Sequence, residues 1–145
     1  MTETALGIRE LARKSQAAAG VKDRETWLGL FAPDAVVEDP IGPSPFDPEG
    51  AGHHGIAGIT AFYDNVIDQV DSIVFDIDRT YICGNEMADI GRIHMRLPGG
   101  THEAVVDGVF TYRCDDAGRL IALRAFWEID KLTVVEAPQE GVDAS

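Results

Sequence analysis

The chain predicts an α+β domain, with three helices in its first half and a curved antiparallel sheet in its second. Two observations carry this. Apolar residues recur at helical spacing up to about residue 70, and the period then changes from 3.6 to 2. The alternating runs are separated only by GN, PGG and DDAG, breaks too short for anything but antiparallel hairpins.

Taken in order, TALGIRELARKSQAAAGV is rich in helix formers, sets Leu6, Leu11 and Ala18 near one face and stops around Gly20. Asp23 is placed to cap a second helix, RETWLGLF, in which Trp27, Leu30 and Phe31 recur at helical spacing. Pro33 and Asp34 mark a turn before the short strand AVVED, which Pro40 ends. From Pro40 to Gly55 the chain holds four prolines and four glycines, the composition of an irregular loop. The third helix, IAGITAFYDNVIDQV, carries the apolar stripe Ile59, Phe62, Tyr63, Val66, Ile67 and Val70. SIVFDIDRTYIC, EMADIGRIHMRL, HEAVVDGVFTYRC and RLIALRAFWEID then read as four long strands. One domain is expected over 1–136, with 137–145 a flexible tail.

A tight PGG hairpin centred between Gly99 and Gly100 fixes a register that sets Arg92 opposite Asp107 and Arg96 opposite Glu103. Two opposite-charge pairs on one face are the cross-strand pattern of a solvated or interface surface. The other face carries Gly91, Ile93 and Met95 against Ala104, Val106, Gly108 and Phe110. Its glycines are expected to leave room for an apolar cavity.

Composition excludes several functions. The net charge of −13 repels phosphate backbones and anionic membrane surfaces, which argues against nucleic acid as a partner. No apolar run is long enough to span a membrane, and MTETALGIRELARK lacks a signal-peptide core, so a cytoplasmic protein is expected. Cys83 and Cys114 are isolated and expected to be free thiols. No histidine pair has metal spacing, and neither metal nor other cofactor is assigned. His53 and His54, in the Gly/Pro loop, are expected to be exposed.

The segments LFAPDAVVEDPIG, AFYDN, VFTYR…DDAGRL and LRAFWEID together resemble the ketosteroid isomerase-like (steroid Δ-isomerase, SnoaL-like) branch of the nuclear transport factor 2-like superfamily. The resemblance covers nearly the whole chain. It implies the cone-shaped nuclear transport factor 2-like (cystatin-like) fold, in which three helices close a curved sheet around a deep apolar pocket. It also implies a homodimer formed through the outer sheet face. The fold hosts cyclases, epoxide hydrolases, dehydratases and ligand-binding proteins as well as isomerases, so it does not decide function.

The resemblance makes Asp39, in EDP, the general base that takes a proton beside a ketone and returns it further along. Glu38 alternates to the solvent side; Asp39 itself could equally be a turn residue before Pro40. The family's oxyanion tyrosine and acid fall by spacing on Ser15 and Gly108, neither of which reproduces the donor. Tyr63, at the family's helix-three tyrosine, is the substitute candidate, with a core tyrosine as the alternative. Asp107 points outward, towards Arg92. Phe31, Ile93, Val106, Phe110 and Trp127 are expected to line a slot for a fused-ring ligand, although each also fits a packed core. The arginines lie outward or at strand ends and His94 lies outward, which disfavours the epoxide hydrolase and dehydratase chemistries of the fold. Three readings stay open: an isomerase with Asp39 as proton shuttle, a steroid- or polycycle-binding protein without efficient chemistry, and a dimeric interaction module with a filled interior.

Overall fold

The computed structural model describes residues 7–138. Three helices, α1 (Ile8–Gly20), α2 (Arg24–Gly29) and α3 (Gly55–Asn65), accompany seven strands. These are β1 (Phe31–Glu38), β2 (His53–His54), β3 (Ser72–Cys83), β4 (Glu86–Arg96), β5 (His102–Cys114), β6 (Leu120–Phe126) and β7 (Thr133–Glu136). The expected start of the first helix at residues 4–6, with Leu6, and most of the expected tail lie outside the described residues. Ala137, expected to begin that tail, is buried, and its N–H donates to the Thr101 carbonyl at 2.9 Å.

Ile8, Leu11, Ala12, Ser15, Ala18 and Ala19 form the buried stripe of α1, at spacings of three and four. Asp23 caps α2 as expected, its carboxylate accepting from the Thr26 N–H at 3.3 Å. The helix stops at Gly29, short of the expected Phe31, because the sheet takes the next residues. Leu120 N–H donates to the Leu30 carbonyl at 2.8 Å and Phe31 pairs with Leu120. Pro33 and Asp34 therefore lie within β1, where the register shifts between Phe31 and Val36, rather than in a turn before it.

The strands form one open sheet in the order β2-β1-β6-β5-β4-β3, with β7 added to β5. The expected antiparallel hairpins are present, but β1 runs parallel to β6, so the sheet is mixed. Such a pairing needs a long connection, and here α3 and the β3–β5 meander separate the two strands in sequence. Two short strands, β2 and β7, carry no alternation long enough to announce them.

The β4–β5 register is the one the PGG turn implies: Arg92 sits opposite Asp107 and Arg96 opposite Glu103. Gly99 and Gly100 both have positive φ, which only glycine adopts freely. The expected ion pairs form elsewhere. Arg92 reaches across to Asp76 and Asp78 on β3, and Glu103 meets His94 at 2.9 Å. These groups mark the outer face.

The glycines of the inner face do not open space. A Cβ on Gly91 would lie 2.2 Å from the Asp76 carbonyl oxygen, and one on Gly108 would lie 2.2 Å from that of Phe126. Both sit where neighbouring backbone closes in. At Gly108 the edge of β5 passes from β7, which pairs with residues 102–105, to β6, which pairs from Val109 onward.

Candidate active site

Between α1, α3 and the inner sheet face lies a cavity of about 80 Å³. Its wall is apolar apart from Ser15, Asp39 and Tyr112, and includes Trp27, Phe62, Ile93, Met95, Phe110 and Leu123. Ligand pockets commonly measure roughly 300–1,000 Å³, so a fused-ring molecule enters only as these walls move apart.

Asp39 directly follows β1, and the Ile41 N–H just beyond Pro40 donates to the Ala125 carbonyl on β6 at 3.1 Å. This ties the segment carrying the acid to the sheet. The indole Nε1 of Trp127 donates to Asp39 Oδ1 at 2.7 Å. Burial pushes the Asp39 carboxyl up to about 6; the indole hydrogen bond, which favours the anion, opposes that rise. Glu38 turns the other way, accepting from Arg124 Nε at 2.7 Å.

Of the sequence-predicted site residues, Ser15, Asp39, Ile93 and Phe110 meet at the cavity wall. Ser15 is buried, but its hydroxyl donates back to the Ala12 carbonyl at 2.8 Å. Phe31 and Tyr63 lie against Trp27, with ring centroids 4.7 and 5.5 Å from it. Tyr63 Oη is buried and has no hydrogen-bond partner among the described residues. Val106, Gly108 and Trp127 line a separate, open groove at the fork between β6 and β7. Asp107 lines the same groove. His53, expected to be exposed, instead packs on Phe62 at 5.0 Å, with Nε2 buried and without a hydrogen-bond partner among the described residues. Among the described residues no group of His, Cys, Asp or Glu could hold a metal ion.

A polar network that the sequence reading missed stands beside the cavity. Asp89, fully buried on β4, accepts from Arg13 at 2.6 Å, from Gln16 at 2.8 Å and from Thr80 at 2.6 Å. Gln16 also donates to Tyr112 Oη at 3.0 Å. The available signal was parity: Asp89 shares the inward alternation of Met87, Gly91 and Ile93. An acid there needs a cation, and Arg13 supplies it from α1.

A family model for the SnoaL-like domain matches residues 12–123. The chain is similar to a Δ5-3-ketosteroid isomerase from Mycobacterium sp., at 38% identity and a TM-score of 0.82, over 88% of this chain and 98% of that one. It is also similar to Rv0760c from Mycobacterium tuberculosis, solved in complex with estradiol-17β-hemisuccinate: 34% identity, TM-score 0.79, 87% of this chain and 97% of that one. A computationally designed 17-OHP binder matches at 33% identity and a TM-score of 0.81, over 88% and 97% of the two chains. A search of curated proteins gave no match.

Proposed function

The chain belongs to the SnoaL-like family, and from that premise we propose that it is a steroid Δ-isomerase-like enzyme, with Asp39 as its proton shuttle. One observation carries the reading. A carboxyl raised to about 6 lies on the wall of an apolar cavity, held by an indole donor. One pH unit above that value it is about nine-tenths ionised, and its basicity exceeds that of an exposed aspartate.

The step balances without a co-reactant. The Asp39 carboxylate takes a proton from the carbon between the ketone and the isolated double bond, and the electron pair moves onto the ketone oxygen as a dienolate. The Asp39 carboxylic acid then returns the proton to the far carbon of the diene, leaving a conjugated enone and a regenerated carboxylate. The similarity to a ketosteroid isomerase supports the substrate class. Addition of a 5-ene-3-ketosteroid should produce conjugated-enone absorbance, and Asp39→Asn should slow its appearance about 10²- to 10⁴-fold. An Asp39→Asn protein that turns over as fast as wild type would end this reading.

A second reading is a steroid-binding protein without efficient turnover: of the two residues expected at the family's donor positions, Ser15 spends its hydroxyl on the Ala12 carbonyl and Gly108 lies outside the cavity. The steroid complex of the Mycobacterium tuberculosis relative supports it. Tight binding of a phenolic steroid with no isomerisation would select it. In either reading we place a homodimer contact on the outer face of β3–β5, where Val74 is 59% exposed beside the Arg92 cluster. Sedimentation equilibrium tests it: a species of twice the chain mass is expected, and Val74→Glu should reduce it to the monomer.

A further inference from the structure

We propose that Tyr112 is the hydrogen-bond donor to the ligand's ketone oxygen, and that Gln16, Asp89 and Arg13 hold it in that role. This rests on the isomerase-type reading above and supplies the group that reading lacks.

The direction of every hydrogen bond in the network is forced. Asp89 only accepts and Arg13 only donates. Gln16 therefore turns its carbonyl to Arg13, 3.0 Å away, and its amide nitrogen to Asp89. A flipped amide would set oxygen against carboxylate and N–H against guanidinium. With one amide hydrogen on Asp89, the second goes to Tyr112, whose oxygen is 3.0 Å away. Tyr112 Oη is thus an acceptor in the network. Its own proton has no acceptor among the described residues, although the side chain is buried at 3% exposure on the cavity wall. A buried hydroxyl whose oxygen is already held and whose hydrogen is unused is a preorganised donor.

Position agrees. Tyr112 pairs with Leu123 across β5–β6, and Leu123 pairs with Val37 across β6–β1, so Tyr112 shares a sheet row with the residue two before Asp39. Both Tyr112 and Asp39 line the cavity, so a ligand there meets the two from adjacent rows. Burial and the neighbouring carboxylates of Asp89 and Asp39 hold the phenol above its usual range, so it stays a neutral donor. Ser15, the other cavity hydroxyl, spends its proton on the Ala12 carbonyl.

The test is the carbonyl stretch of bound 4-androstene-3,17-dione carrying ¹³C at C3, read by infrared difference spectroscopy. Bound to wild type, the band should lie below its position in an apolar solvent. Tyr112→Phe, which removes one oxygen and keeps the ring, should return it towards that position. Where turnover is measurable, kcat should fall about 10²- to 10³-fold with KM changed much less. A steroid that binds both proteins with the same band overturns this inference and leaves the proposed function standing. Failure of wild type to bind any fused-ring ketone overturns both. A band that moves on Ser15→Ala and not on Tyr112→Phe assigns the role to Ser15 and overturns the proposal.

Discussion

Trp127 donates its indole hydrogen to Asp39 across 88 residues of sequence, at 2.7 Å. The bond favours the carboxylate over the acid, and among the described residues Trp127 is the one side-chain hydrogen-bond partner of the proposed base. Trp127→Phe should therefore raise the Asp39 pKa above about 6. A hydrogen bond to a charged group is worth about 1.5–3 kcal/mol, which sets a ceiling of about one to two pH units on the shift. The acid limb of the kcat/KM profile should move to higher pH by that amount. An unmoved limb would show that the indole does not tune the base.

Asp39 is maintained at a cost to the fold. Its carboxyl is raised from 3.8 to about 6, so the native state holds the proton more tightly than the unfolded chain does. The unfolded state binds fewer protons between these values, and stability falls as pH rises through them. At about 1.4 kcal/mol per unit the loss is up to about 3 kcal/mol. Asp39→Asn should recover it at pH 7–8, and the gain should vanish below about pH 4. Urea denaturation of both proteins at pH 4 and 8 measures the difference. Catalysis should fall about 10²- to 10⁴-fold in the same variant.

Placing an acid at position 108, where the resemblance expected one, should fail. A Cβ there would lie 2.2 Å from the Phe126 carbonyl and 3.0 Å from Trp127 Cβ. Gly108→Ala and Gly108→Asp should both destabilise by about 2 kcal/mol or more, since β5 and β6 must separate. Melting temperatures of the two variants test it. A stable Gly108→Asp protein with raised turnover would contradict this packing.

Removing Arg13 strands a buried carboxylate. Breaking a buried pair by deleting one partner costs about 3–5 kcal/mol. Arg13 is itself 38% exposed, which places the expected loss near the lower end. Arg13→Met should destabilise by about 3 kcal/mol, and Asp89→Leu in the same chain should restore part of it. Denaturant melts of the single and double variants give the coupling directly. Additive losses would show that the pair is not coupled.

The β4–β5 hairpin shows how far local signals reach. Gly99 and Gly100 made the turn legible, and two charge pairs supported its register, which the structure shares. The partners of those charges were not legible. Arg92 lies between β3 and β5, and Asp76 and Asp78 on β3 win over the residue directly opposite. Side-chain reach across a third strand depends on sheet twist, which alternation does not encode. The cavity glycines failed for a related reason: an absent side chain marks either open space or close backbone, and only the neighbour decides.

What the amino-acid sequence determined by itself is whatever repeats locally: the switch from helical to alternating period, the hairpin breaks, the inward parity of Phe110 and Ile93, and the acid ahead of Pro40. These follow from backbone geometry within a few residues. The tertiary structure alone decided which distant groups meet. It brought Trp127 to Asp39, set Arg13 and Gln16 against Asp89, placed the Gln16 amide on the Tyr112 oxygen, and closed backbone over Gly108. Those outcomes belong to long-range packing and to the pairing demand of buried polar groups, and both appear only when the elements are assembled.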